Sequence, residues 1–374
     1  MQVRFFCALV SVVWVASIEA EDIRYYTEDS AIDSVSDPNS PFVQAPVIQA
    51  PVSQAPSDTI STSWNYGSGC CGNGCQACPP CGWFVSLGLN VFRPQWQTNQ
   101  ALATVTPLGG GRNSFAGKEF NFDYQASPFI DFGYVAQNGL GFRVGYWDYS
   151  ANSSVAFAPT GGGIVSSAAP LGLTAFANPN PMRADATLAF QVWDAELMQQ
   201  VVHDQWWWQF AGGIRYLHIA QGYNVTTSGA AGAVDDLTSS HKFSGAGPTL
   251  AVKGQRQLGI SNFSLYGQAR GAALFGDNSQ NVDLFSATGT RGDHASQASR
   301  SFVGMTELEM GVWYQRSMNR FIFVATGGIV GQYWSNVGNS ANTDTFTAFA
   351  NDEAQNNTAG MGLFGARTTL QLWF

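Results

Sequence analysis

At 374 residues the chain is long enough for one large domain or two ordinary ones. Charged residues make up only 11% of it and the net charge is −9, which excludes a nucleic-acid partner held through clustered Lys and Arg. A mean hydropathy of −0.06 excludes a bundle of transmembrane helices. Aromatics at 13% and 41 glycines suit instead a chain whose alternate residues face lipid and a polar lumen.

Residues 1–20 read as a secretory signal, with Arg4 as the positive end, Phe5 to Val15 as the apolar stretch and Ala20 before the cleavage point. An uncleaved membrane anchor is the competing reading, for which the apolar run is short. Residues 21–69 read as a disordered, Pro-rich periplasmic arm. It repeats Gln44-Ala45-Pro46-Val47, Gln49-Ala50-Pro51-Val52 and Gln54-Ala55-Pro56, and has too little apolar surface to offset ordering. It is expected to act as a spacer, with a cell-wall contact or another partner as the alternative. Residues 70–82 form a joint with Cys70, Cys71, Cys75, Cys78 and Cys81. Their spacing suits disulfides or a metal cluster. The oxidising compartment that the signal implies favours disulfides, and the odd number leaves one thiol for an intermolecular bond.

From Trp83 the pattern changes to alternation with the two-residue period of a strand. Trp83, Val85, Leu87, Leu89 and Val91 oppose Ser86, Gly88 and Asn90. Ile130, Phe132 and Tyr134 oppose Asp131 and Gly133. After a tight turn at Gln137-Asn138-Gly139, Leu140, Phe142, Val144 and Tyr146 oppose Arg143, Gly145 and Trp147. Leu188, Phe190 and Val192 oppose Ala189 and Gln191 in a strand over 187–201 whose later half is less regular. Trp208, Phe210, Ile214 and Tyr216 oppose Gln209, Gly213 and Arg215. Leu250 and Val252 oppose Thr249 and Lys253. Phe263, Leu265 and Ala269 oppose Tyr266, Gln268 and Arg270, and Leu308, Met310 and Val312 oppose Glu307 and Glu309. Residues 320–334 are apolar on both faces. The final segment sets Phe374, Leu372, Leu370, Ala366 and Phe364 against Trp373, Gln371, Thr369, Arg367 and Gly365.

Connections between these strands alternate long and short. The long ones are 93–120, 150–184, 221–241, 276–301 and 335–358, and the short ones 137–139, 202–205, 254–261 and 315–319. Long outer loops and short inner turns are the mark of a closed antiparallel transmembrane β-barrel over 83–374, of about ten strands or alternatively about twelve. Such a barrel belongs in the cell outer membrane, in contact with its lipid, with the arm in the periplasm and the long loops outside. Trp83, Tyr146, Trp147, Trp206, Tyr314, Trp334 and Trp373 would form interfacial girdles.

The segments Trp208-Gln-Phe-Ala-Gly-Gly-Ile-Arg-Tyr-Leu217, Phe243-Ser-Gly-Ala-Gly-Pro248, Phe263-Ser-Leu-Tyr-Gly-Gln-Ala-Arg-Gly271 and Gly331-Gln-Tyr-Trp334 resemble those of the Legionella-type major outer-membrane protein family. That resemblance covers roughly 83–374 and implies a pore-forming barrel. A last strand ending on Phe374 resembles that of bacterial outer-membrane β-barrels in general, which implies a signal for the barrel-assembly machinery.

Motifs for chemistry are thin. Gly139 to Gly145 approximates a dinucleotide fingerprint with its last spacing one too long, and it opens a strand. Gly111 to Lys118 resembles a phosphate loop with one residue too many. His203, His218, His241 and His294 are scattered, and no G-x-S-x-G elbow occurs. The expectation is no enzyme, no cofactor and no bound metal. Asp131, Arg143, Gln191, Gln209, Arg215, Lys253, Gln268, Arg270, Glu307, Glu309 and Arg367 each oppose the apolar face of their strand. A lipid-facing Arg or Lys at mid-depth costs about 2–4 kcal/mol, so these side chains should line the lumen. There they either set selectivity in a pore for small hydrophilic solutes or ions, or plug a barrel that tethers the envelope without conducting.

Overall fold

The computed structural model describes residues 80–96, 99–109, 112–159, 163–168, 170–172, 177–203, 206–227, 236–259, 261–285, 291–318, 320–341 and 359–374. The signal, the arm and Cys70, Cys71, Cys75 and Cys78 lie outside them. In chain order the strands are β1 Gly82–Trp96, β2 Gln100–Gly109, β3 Arg112–Glu119, β4 Gln125–Val135, β5 Leu140–Phe157, β6 Ile164–Ser167 and β7 Ala177–Asn178. They continue as β8 Met182–His203, β9 Trp206–Thr227, β10 Asp236–Gln257, β11 Phe263–Phe285, β12 Arg291–Met318, β13 Phe321–Ser335 and β14 Met361–Trp373. Among the described residues no helix is long and apolar enough to cross a membrane.

Ten strands, in the order β1-β14-β13-β12-β11-β10-β9-β8-β5-β4, hydrogen-bond into a closed antiparallel barrel. Closure leaves no edge whose N–H and C=O groups hydrocarbon would strand. The seam pairs first strand with last, from Phe84 opposite Trp373 to Trp96 opposite Met361. Trp83 and Phe374 exchange two backbone hydrogen bonds of 3.0 Å, so both ends of the barrel sequence lie at one rim, here called the terminal end. Gly82 allows this: its φ is +116°, and a Cβ there would stand 2.6 Å from the Phe374 carbonyl oxygen. Gly139, with φ +80°, makes the β4–β5 turn in which Ala136 N–H donates to Leu140 O at 2.8 Å.

The outer surface carries an apolar belt. Leu197 (68% exposed), Leu250 (70%), Phe210, Ile214, Leu265, Leu308 and Leu370 all point outward. Crossing a membrane takes about 9–11 residues of tilted strand, yet β8, β9 and β10 are each 22 residues long and β12 is 28. About eleven to thirteen residues of the three 22-residue strands, roughly 40 Å, and about seventeen to nineteen of β12 therefore lie beyond the belt. In that extension the amphipathic pattern inverts. In β8, Trp193, Ala195 and Leu197 face out and Asp194 and Glu196 face in. Farther from the terminal end Thr187, Ala189 and Gln191 face out, while Leu188, Phe190 and Val192 face in. In β9 the switch falls after Tyr216: Leu217, Ile219, Tyr223 and Val225 fill the interior.

The inversion corrects several expectations. Gln191 lies on the outer surface rather than in the lumen, and Leu188, Phe190 and Val192 are core rather than lipid-facing. Trp147, Trp334 and Trp373 are buried inside and so cannot belong to a girdle, whereas Trp193, packed on Tyr146 with ring centroids 4.5 Å apart, is exposed. Much of the expected loops 221–241 and 276–301 is strand, β9 running to Thr227, β10 starting at Asp236, β11 running to Phe285 and β12 starting at Arg291. The connections 93–120 and 150–184 contain a separate four-stranded sheet, β3-β2-β6-β7. It packs onto the barrel interior through Tyr223, whose hydroxyl donates to Ala101 O at 2.7 Å and accepts from Ala168 N–H at 3.0 Å.

Candidate functional site

The lumen is built in three layers, each a consequence of which inward positions are apolar. At the loop end Phe92, Tyr149, Phe190, Leu217, Ile219, Phe243, Leu274, Met305, Trp334 and Leu363 form one continuous buried core. The strap that follows β13 is folded in on top. Gln221 Nε2 donates to Val337 O and Gly338 O at 3.2 Å each, its Oε1 accepts from Ser340 N–H at 3.2 Å, and Ser239 Oγ donates to Ser340 O at 2.6 Å. Next to the terminal end a second cluster closes the floor: Phe84, Val135, Met198, Ala211, Tyr266, Trp313, Val324 and Trp373.

Between them lies the charged layer. Arg215, 2% exposed, grips Asp194 with two hydrogen bonds, Nε to Oδ1 at 2.7 Å and Nη2 to Oδ2 at 2.8 Å. Arg270 Nη1 lies 3.1 Å from Asp194 Oδ2 and 3.2 Å from Glu196 Oε1, and Arg143 donates to Glu196. On the opposite wall Arg367 Nη1 contacts Glu309 Oε2 at 2.6 Å and Glu307 Oε1 at 3.3 Å, while its Nε donates to Asn90 Oδ1 at 2.6 Å. Neutral donors complete the carboxylates: Tyr266 OH donates to Glu309 Oε1 at 2.6 Å and Gln332 Nε2 to Glu307 Oε2 at 2.5 Å. Gln268 Nε2 donates to Glu307 Oε1 at 3.3 Å. Four arginines thus meet four carboxylates. A buried charge is tolerable only when paired and hydrogen-bonded in this way.

Lys253 makes a different contact. Its Nζ sits 4.4 Å from the centre of the Trp313 ring, 4.8 Å from Tyr266 and 6.0 Å from Trp207, within cation–π range of each. Lys253 and Asp131 both line a cavity of about 110 Å³ in the charged layer, together with Arg143, Gln268, Arg270, Glu307, Glu309 and Arg367.

Of the residues picked from sequence, nine meet at this cavity: Asp131, Arg143, Arg215, Lys253, Gln268, Arg270, Glu307, Glu309 and Arg367. Gln209 faces the lumen nearer the terminal end, where its Nε2 lies 3.1 Å from Met198 Sδ. Gln191 is elsewhere, as described. Asp194 and Glu196, the two acids at the heart of the network, were missed because β8 inverts just before them. They share the face of Val192, which the alternation assigns to lipid and the structure turns inward. Cys81 is disulfide-bonded. Among the described residues no group of three His, Cys, Asp or Glu is placed to hold a metal.

The family model described as Legionella pneumophila major outer membrane protein precursor matches residues 77–372. The chain belongs to this family. As a member of the major outer-membrane protein family it resides in the outer membrane, and its apolar belt is the surface that meets lipid. No curated protein matches it. Among solved structures it is similar to the outer-membrane protease OmpT of Escherichia coli, at 11% identity over 78% of this chain and 96% of that one, with a TM-score of 0.42. It is also similar to the toluene transporter TodX of Pseudomonas putida (8%, 79% and 90%, TM-score 0.27). Ail of Yersinia pestis is a third (11%, 78% and 99%, TM-score 0.21). Likenesses this remote carry nothing about activity.

Proposed function

We propose that this family member is a non-conducting structural barrel of the outer membrane, with its terminal end in the periplasm and its long strands projecting from the cell as a contact surface. The observation that carries the proposal is the filled lumen. A continuous apolar core, a layer of ion-paired side chains and an aromatic floor lie one above another along the barrel axis. Small barrels are filled by side chains, and open aqueous channels belong to about sixteen or more strands. Among the described residues the arginines and acids that would line a pore are engaged with each other, Asp131 apart. In this reading the arm 21–69 tethers the barrel to the cell wall, or to another chain through a thiol among Cys70, Cys71, Cys75 and Cys78. Phe374 then serves the assembly machinery.

Passive passage of small hydrophilic solutes or ions is the second reading, favoured by the charged cavity at mid-lumen. Planar-bilayer recording separates the two. The refolded full chain, shown to be inserted, gives no reproducible conductance step if the lumen is sealed. A step of constant size that disappears without protein overturns the sealed-barrel reading in favour of the pore.

A further inference from the structure

The charged layer has two members outside its ion-pair network. Arg143, Arg215, Arg270 and Arg367 satisfy Asp194, Glu196, Glu307 and Glu309, as many cations as anions. Lys253 contacts only ring faces, and among the described residues Asp131 has neither an ion-pair partner nor a hydrogen-bond donor. Both open onto the same cavity of about 110 Å³. Two further groups lining it, Asn90 Nδ2 and Arg270 Nε, are buried without a hydrogen-bond partner. Both side chains are half-buried, with Asp131 in electrostatic reach of Arg143 and Lys253 of Glu309 but neither in contact with an opposite charge. A partly buried charge gains from a direct partner, so a ligand charged at both ends would supply the contact that each lacks.

We propose that this cavity binds a small zwitterion, an α-amino acid of glycine or alanine size. Its carboxylate is held by Lys253, with Asn90 and Arg270 as additional donors, and its ammonium by Asp131. A lone anion drawn to Lys253 would be repelled by Asp131, and a lone cation drawn to Asp131 would be repelled by Lys253. The volume agrees, since water-sized volumes of roughly 10–15 Å³ go into it about eight times, enough for the five or six non-hydrogen atoms of glycine or alanine. The aromatic faces around Lys253 keep bulk water from competing for the carboxylate. Exchange with the periplasm passes the floor, a layer of side chains such as Trp313 and Trp373 and not of backbone. Binding at this site needs no passage through the core above it, so it does not rest on either reading of conduction.

Equilibrium dialysis of the refolded full chain against radiolabelled glycine tests it, because the readout is independent of exchange rate. Bound glycine is expected, with acetate and methylammonium each failing to displace it at equal concentration. Lys253→Gln and Asp131→Asn should each lower the affinity by about tenfold or more, the size of one charged hydrogen bond. Absence of bound glycine overturns the proposal. So does displacement by acetate or methylammonium alone, or unchanged binding in both folded variants. If a variant does not fold, the two half-ligand arms on the unmodified chain decide. Conductance recorded on the same preparation bears on the sealed-barrel reading and leaves this result untouched.

Discussion

Replacing Arg215 by Met removes the charge of a 2% exposed member of the charged layer while keeping an unbranched apolar stem. Asp194 then loses two hydrogen bonds of 2.7 and 2.8 Å and keeps only Arg270 at 3.1 Å. Breaking a buried pair from one side costs about 3–5 kcal/mol, because the remaining charge stays out of water. The surviving Arg270 contact places Arg215→Met near the lower end, about 3 kcal/mol. Adding Asp194→Asn removes the stranded charge and should return about 2 kcal/mol, a coupling of the size double-mutant cycles find for contacting residues. Urea unfolding of the barrel in lipid vesicles, followed by tryptophan fluorescence, reads both values. The loss should change little between about 0.05 and 1 M salt, since buried pairs are poorly screened. A single variant within about 1 kcal/mol of the parent, or an effect that salt abolishes, would refute the claim that these charges are buried and paired.

The inversion along β8 gives a paired prediction. Leu197→Arg puts a guanidinium into lipid and should cost about 2–4 kcal/mol, while Gln191→Arg, six residues away and past the belt, should stay within about 0.5 kcal/mol in the same unfolding assay. Phe374→Ala keeps the two backbone bonds to Trp83 but removes the exposed aromatic terminus. The fraction of chain reaching the outer membrane as a heat-modifiable folded band should fall, with stability of the folded remainder unchanged. Arg215→Glu with Arg270→Glu should unfold the barrel before it alters any ion preference, because Asp194 and Glu196 would then face two more carboxylates.

The fold was legible wherever one side of a strand faces lipid and the other a polar interior, for that contrast imposes the two-residue period directly. Leu308 and Met310 against Glu307 and Glu309, or Phe263 and Leu265 against Arg270, could face only one way. The strand order needed nothing more than short turns and a closed edge. Legibility failed where water replaced lipid outside. Hydrophobicity alone cannot say whether Leu188, Phe190 and Val192 meet hydrocarbon or one another, and the apolar side of a strand becomes its inner side once it leaves the belt. The same ambiguity lets Gln191, which lies outside, pass for a lumen residue, and Trp147 and Trp334, aromatic and near a boundary, pass for interfacial when they fill the core. The pairing within the charged layer was hidden for another reason. Arg215 and Asp194 are 21 residues apart on adjacent strands, and only the register of β8 against β9 brings them opposite each other.

Spin labels placed one at a time from Thr187 to Met198 would test the central claim most directly, because lipid, water and packed interior each leave a different accessibility. Labels at Trp193, Ala195 and Leu197 should collide with oxygen dissolved in the bilayer, and labels at Thr187, Ala189 and Gln191 with a water-soluble nickel complex. The even positions between should meet neither. Oxygen reaching positions 194 and 196, nickel reaching them through an open lumen, or a pattern that keeps one phase and one solvent throughout would contradict the inverted, filled barrel.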